Sequence, residues 1–149
     1  MKIIQVVGRS NSGKTTFIKQ LIPKLKTQGR VAVIKHLADH EYELEKGKDT
    51  TGFFEAGSDI SVGIDAHKLV AAIHNNSLDS ALQLLFNQGI DFTIIEGFKK
   101  QIFPRIVIGD LETDKGVLFN PCPDEVLTSI NAFDDFCPLE VTGEKKHGN

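Results

Sequence analysis

The chain opens on an apolar, strand-like run, Ile3 to Val7, that stops at Gly8, and a different pattern takes over from Lys14 to Gln28. There Phe17, Ile18, Leu21, Ile22 and Leu25 recur at offsets of one, three and four, while Lys19, Lys24 and Lys26 fall outside that stripe. The order is strand, loop, amphipathic helix, and the stripe should face a sheet. Pro23 removes a backbone donor and crowds the preceding turn, so a kink is expected in a helix that continues through it. Gly29 is expected to end the helix in a left-handed conformation. Val31 to Ile34 is again continuously apolar, as in a strand buried on both faces, and strand, helix and strand of this length make a right-handed parallel unit.

Beyond it the pattern inverts. Asp39, Glu41, Glu43 and Glu45 alternate with His40, Tyr42 and Leu44, which predicts an exposed or edge strand. Residues 46–57 are polar and punctuated by Gly47, Gly52 and Gly57, and read as loop. Ile60 to Ile64 and Leu69 to Ile73, separated by Asp65 to Lys68, predict a hairpin. Ser77 can cap a helix to about Asn87 with Leu78, Ala81, Leu82 and Leu85 inward, stopped by Gly89. Phe92 to Ile95 is the next buried strand. Arg105 to Ile108 and Val117 to Phe119 read as strands around a turn, Val126 to Ala132 as strand or helix, and residues 144–149 as a disordered tail.

Composition narrows the class. With 149 residues, 40% hydrophobic and 25% charged, the chain suits one globular domain. We take residues 1–143 as that domain. A net charge of -3 offers no basic excess for nucleic acid, and no apolar run approaches the roughly 20 residues that span a bilayer. The start has no charged and apolar leader followed by a small-residue cleavage site, which leads us to expect a cytoplasmic protein with neither nucleic acid nor membrane as partner. Cys122 and Cys137 form neither a disulfide framework nor a cysteine zinc motif.

The decisive chemistry lies between the first strand and the first helix. Gly8-Arg9-Ser10-Asn11-Ser12-Gly13-Lys14-Thr15 satisfies the Gly-x4-Gly-Lys-Ser/Thr (Walker A) pattern. Glycines let the backbone curl so that amides from Ser10 to Thr16 point inward, Lys14 reaches the outer phosphates, and the Thr15 hydroxyl suits Mg2+ at a helix N-terminus. The alternative, a surface glycine turn with an incidental lysine, fits badly because a predicted strand precedes the loop and a predicted helix follows. The expected architecture is therefore α/β, a three-layer P-loop NTPase fold with a largely parallel central sheet and a β-hairpin excursion. Such a site needs an acidic partner at a neighbouring strand's end. Glu96 follows the strand Phe92 to Ile95 and points to the carboxyl edge, whereas Asp91 precedes it and reads as structural.

At this point the residues resemble the molybdopterin-guanine dinucleotide biosynthesis protein B family. The resemblance is carried by Gly8 to Thr16 with Leu21-Ile22-Pro23, by Lys35-His36 with His40 beyond, by Gly47-Lys48-Asp49-Thr50 with Ala56-Gly57, and by Ile94-Ile95-Glu96-Gly97-Phe98-Lys99. It covers about the first 100 residues and weakens from Ile102 on. It implies binding of GTP with magnesium, slow GTP hydrolysis, a homodimer, and association with the guanylyltransferase that converts molybdopterin to its guanine dinucleotide. The residues alone leave Lys48 and Asp49 open between a solvated turn and a switch that positions magnesium or water; the resemblance favours the switch. His36 and His40 lack a third metal ligand, so a hydrogen-bonding or phosphate-contact role suits His36 better. Lys35 and Lys99, each at a predicted strand end, could meet nucleotide phosphate, molybdopterin's phosphate or water, and Phe98 reads as core. His67, His74 and His147 read as ordinary histidines.

Two other classes fit the loop. A nucleotide or small-molecule kinase usually closes an arginine-rich lid, and Arg9, Arg30 and Arg105 are scattered. A non-catalytic adaptor would need the nucleotide only to support an interface, and would have less use for Glu96. No Asn-Lys-x-Asp occurs to read guanine, so GTP follows from the resemblance. The mild net charge hides polarity: Lys14, Lys35, Lys48 and Lys99 gather at the predicted ligand edge, while Ile106 to Glu144 holds acidic residues with only Lys115 as a base.

Overall fold

The computed structural model describes residues 1–38 and 40–138. Packing divides the chain into two compact units, Met1–His36 with the chain from Ala81 onward, and Leu37–Ser80.

In the first unit, β1 (Lys2–Gly8), β2 (Val31–Lys35), β5 (Phe92–Glu96), β6 (Arg105–Ile108) and β7 (Gly116–Phe119) form a sheet of order β2-β5-β1-β6-β7, every pairing parallel. Helix α1 (Lys14–Lys26) buries Phe17, Ile18, Leu21 and Leu25, the predicted stripe. These pack with Ile4, Val6, Phe92, Ile94, Ile106 and Ile108 of the sheet and with Val126 of α4 (Pro123–Thr128) and Phe133 in one core. Leu21 and Leu25 are fully buried, each worth about 1.5–3 kcal/mol relative to exposure. The opposite positions of the central strands, Ile3, Val7, Thr93, Ile95 and Val107, are buried as well, which is why these strands read as continuous runs. Helix α3 (Leu78–Asn87) begins one residue after Ser77, whose Oγ accepts from the Ser80 amide, and Gly89 at φ 72 follows its end, as predicted.

The structure overturns some sequence expectations and bears out others. β2 is an edge strand with Val33 42% exposed, because β5 inserts between it and β1. Gly29 does not adopt positive φ: a Cβ there would lie 2.6 Å from Asp91 Oδ2, so the glycine makes room for Asp91, which accepts the Arg30 amide at 2.7 Å. Asp91 is thus structural, as expected. α1 runs through Pro23 without interruption. β6 and β7, read as strands around a turn, are both present and pair parallel, so the loop between them returns along the sheet. The Val126–Ala132 segment is helical, α4 followed by a 3-10 turn at Ile130–Ala132. The tail expected at residues 144–149 lies outside the described residues, as do Asp39 and His147.

The second unit holds α2 (Asp49–Glu55) and a two-stranded antiparallel sheet of β3 (Ile60–Ile64) and β4 (Leu69–Ile73), the predicted hairpin. Residues 40–45 form no strand. The stretch read as loop is helical because Asp49 complements the helix N-terminus and Thr51 donates to the Glu45 carbonyl at 2.7 Å. β3 turns Ser61 inward, where its hydroxyl donates to the Thr50 carbonyl at 2.6 Å. The other hairpin face carries Ile60, Val62 and Ile64 opposite Ile73, Ala71 and Leu69, all exposed. No helix among the described residues is long and apolar enough to cross a membrane.

Candidate functional site

β1 delivers the chain to Gly8, and the loop from Arg9 to Gly13 curls back to start α1. Asn11 at φ 58 and Gly13 at φ 95 are left-handed and make the reversal. Gly8 is required by close approach: a Cβ would stand 2.3 Å from the Ile108 carbonyl oxygen and 2.5 Å from Ser12 Oγ. The Phe17 amide closes the first helical turn onto the Gly13 carbonyl, so the amides of Lys14, Thr15 and Thr16 have no intrahelical acceptor. No side chain caps that end and no acidic residue stands in its first turn, leaving the positive end of the helix dipole uncompensated. Lys14 Nζ donates to the carbonyls of Arg9 (2.6 Å) and Gly8 (3.3 Å), folded along its own loop. The buried Ser12 hydroxyl has no partner.

A cavity of about 400 Å³ opens here, lined by Ser10 to Thr16 together with Lys35 and Glu96. Glu96 is the last residue of β5, in register with Val6 on one side and Lys35 on the other, and the His36 amide donates to its carbonyl at 2.9 Å. Its side chain is only 13% exposed, with Lys35 Nζ 3.7 Å from Oε1. The sheet therefore brings together, from positions some 80 residues apart in sequence, the loop, Thr15, Lys14 and the strand-end carboxylate. Free amides, hydroxyls and two ammonium groups suit a polyphosphate, and a carboxylate lining the same cavity as the Thr15 hydroxyl suits a hard, oxygen-ligated cation such as Mg2+.

Other predicted residues are not part of this lining. His36 follows β2 and stacks on Phe98, ring centroids 4.3 Å apart, so Phe98 is a stacking partner and not only core filling. Lys99 is exposed just beyond. Lys48 and Asp49 belong to the second unit, Lys48 as the residue preceding α2 with Nζ 3.5 Å from Glu45 Oε1, Asp49 as the first residue of α2.

Sequence reasoning missed the supports of the site. Gly109 at φ 91 leaves room for Ser12, whose Cβ would stand 3.3 Å from a Cβ added there, and Asn120 fixes it by donating to its carbonyl and accepting from its amide. Buried Arg105 donates to the carbonyls of Lys99, Gln101 and Phe103 and to the Thr113 hydroxyl. Gln5, fully buried, donates to the carbonyls of Gly97 and Phe98. The signal for Gln5 was available: it is the one polar side chain in the run Ile3 to Val7.

Residues 3–132 match the family model described as molybdopterin guanine dinucleotide synthesis protein B. The chain belongs to this family. A Haemophilus influenzae molybdopterin-guanine dinucleotide biosynthesis adapter protein is 33% identical over 144 residues, covering 93% of this chain and 77% of that one. A Bacillus subtilis protein named "probable molybdopterin-guanine dinucleotide biosynthesis adapter protein" is 38% identical over 110 residues, 71% of this chain and 64% of that one. The match spans 47% of the length of a further relative, from Methanocaldococcus jannaschii. The crystal structure of Bacillus subtilis MobB superposes with a TM-score of 0.68 at 24% identity, covering 90% of this chain and 99% of that one, which shows a shared fold. Membership of the protein B family agrees with the resemblance carried by the phosphate loop, Lys35-His36, Gly47 to Thr50 and Glu96 to Lys99, and with an α/β fold around a parallel sheet.

Proposed function

We propose that this chain binds GTP with Mg2+ and hydrolyses it slowly, as a cytoplasmic adapter that works with the molybdenum cofactor guanylyltransferase in converting molybdopterin to its guanine dinucleotide. The observation that carries the reading is the uncapped start of α1, its amides and Lys14 facing one cavity with Glu96. Loop amides from Ser10 to Thr16 would hold the phosphates and Lys14 the outer ones. Thr15 and Glu96 would hold magnesium, directly or through water, with Asp49 as a further switch ligand, and Lys48, His36 and Lys99 as phosphate contacts. The metal supplies charge neutralisation at the phosphates. Glu96 would orient the metal's water shell, and the loop, its reversal set by left-handed Asn11 and Gly13, would present amides already turned to the phosphates, so little reorganisation would be needed when charge shifts during cleavage. Guanine preference, the transferase and molybdopterin contact rest on family membership and on the names of the relatives.

The kinase alternative is disfavoured by where the three arginines stand. Arg9 pairs with Asp110 at 3.4 Å, Arg30 donates to the Gln88 carbonyl, and Arg105 is buried, so each is engaged within its own surroundings. Homodimer formation is supported by the hairpin. A two-stranded sheet is marginal alone, and the uncharged, exposed face of Ile60, Val62, Ile64, Leu69, Ala71 and Ile73 would be covered by the same face of a second copy.

Equilibrium dialysis with GTP and ATP, with and without Mg2+ and the partner transferase, tests the reading. Wild type should retain GTP and Lys14→Ala should lose it. Equal retention by Lys14→Ala would sink the proposal, and phosphotransfer to a second substrate would favour a kinase.

A further inference from the structure

Gln5 sits at the centre of β1, hydrogen-bonded as a strand to β5 on one side and β6 on the other, and its side chain has no exposure at all. An amide in such a place is costly unless it is partnered, and valine or isoleucine would fill the position without that cost. Its partners are specific. Nε2 donates to the Gly97 carbonyl at 2.8 Å and to the Phe98 carbonyl at 2.9 Å, using both protons, while Oε1 has no partner. The side chain therefore acts through its donor end.

Those two carbonyls belong to the residues that follow Glu96, and both residues are left-handed, Gly97 at φ 93 and Phe98 at φ 51. Phe98 is an unfavourable residue for that region, so something must hold it there. Gly97 tolerates the conformation and also makes room for a neighbour, since a Cβ would stand 3.1 Å from His36 Cβ. The backbone just before the turn is tied by the Gly97 amide to the Val6 carbonyl (3.1 Å) and by the His36 amide to the Glu96 carbonyl (2.9 Å). The ladder bonds fix where β5 ends. The Gln5 bonds fix which way the chain leaves, and through the Gly97 backbone they resist any tilt of the peptide that carries Glu96.

We infer that Gln5 is a positioning residue for Glu96: it draws in the two carbonyls after Glu96, locks the left-handed turn, and so aims the carboxylate into the cavity under the phosphate loop. The inference rests on the reading of that cavity as a nucleotide and magnesium site. Gln5 is absent from the cavity lining and stands three residues before Gly8, so its removal should act on the metal and spare the phosphate cradle.

The full-length chain with Gln5→Met tests this, because methionine keeps the length and burial and removes the donors. Hydrogen exchange should speed up at least about tenfold at the Gly97 amide and stay unchanged in α1. GTP affinity in EDTA should stay within about twofold of wild type, while the Mg2+ concentration giving half-maximal enhancement of GTP binding rises about tenfold. Phe98→Asn, a residue that tolerates the left-handed region, should recover part of that rise when combined with Gln5→Met. If Gln5→Met fails to fold, Gln5→Asn, which withdraws the donor by one methylene, replaces it in the same titration and should shift the midpoint at least threefold. An unshifted Mg2+ midpoint, or unchanged Gly97 exchange, overturns the positioning role alone. A wild-type chain that shows no Mg2+-dependent GTP binding overturns the nucleotide reading and this inference with it.

Discussion

Lys35 Nζ lies 3.7 Å from Glu96 Oε1, the two residues facing each other in register at the ends of β2 and β5. Each is the last residue of its strand, so both emerge at the edge where the phosphate loop turns. Lys35 is half exposed and Glu96 nearly enclosed, which makes the carboxylate the fixed member and the ammonium the movable one. On the proposed function, a polyphosphate arriving with magnesium would offer each of them a better partner: phosphate oxygen for Lys35, metal for Glu96. Lys35→Met should therefore weaken GTP binding about tenfold, roughly 1.4 kcal/mol, with a smaller loss at high salt. Calorimetric titration at two ionic strengths checks this, and an unchanged affinity would assign Lys35 to the surface.

Glu96→Gln preserves the shape of the site and removes the charge. Turnover should drop about 10²-fold, roughly 2.7 kcal/mol in barrier, while GTP affinity changes by no more than a few-fold. Single-turnover phosphate release beside a binding titration separates the two. Unchanged turnover with normal magnesium dependence would remove Glu96 from the mechanism.

Two glycines predict opposite signs. At Gly29 a Cβ would lie 2.6–2.9 Å from Asp91 side-chain atoms that are held by the Arg30 amide, so Gly29→Ala should destabilise by about 1–3 kcal/mol. Gly52 is inside α2 with open space at its Cβ, and Gly52→Ala should stabilise that helix by about 0.5–1 kcal/mol. Denaturant melts read the first. Amide exchange in α2 reads the second.

Val62 stands in the middle of the apolar hairpin face and is 44% exposed in the single chain. Val62→Lys should convert a dimer to a monomer at micromolar concentration, with the fold of the chain changed by less than about 1 kcal/mol. Sedimentation equilibrium decides. A variant that remains dimeric would place the interface elsewhere.

The turn of the same hairpin is pH-sensitive. The Lys68 ammonium, then the amides of His67 and Lys68, hold the Asp65 carboxyl below the ordinary aspartate value of 3.8. The lowered pKa means that the turn's support is fully present above about pH 4 and fades as pH falls through the lowered value. Amide exchange of Lys68 measured from pH 5 downward should rise relative to Asp65→Asn, in which that dependence is absent.

The phosphate loop was legible because its chemistry is local: seven consecutive bonds from Gly8 to Thr15 set the whole cradle. Glu96 was legible for a different reason, that the carboxyl edge of a parallel strand is where its last side chain emerges. Strand order was not. The run Val31 to Ile34 carries no mark of being an edge, because that depends on β5 entering from 60 residues away. Gly47, Gly52 and Gly57 concealed α2 by reading as loop punctuation, although Asp49 supplied a helix start. Gly29 looked like a stop and is instead a gap for Asp91. The supports of the site, Gln5, Asn120 and Arg105, make their contacts across long sequence separations, and only Gln5 stood out against its neighbours.

The insertion of β5 between β1 and β2 also orders events on the ribosome. A nascent chain that has emerged only through Ser80 carries the entire phosphate-loop sequence and the first helix, yet the slot between its two strands is empty. Neither strand has its parallel neighbour, and the carboxylate has not been synthesised. The loop written in the first fifteen residues gains its full cavity only after two thirds of the chain has been made, when Glu96 arrives at the end of β5.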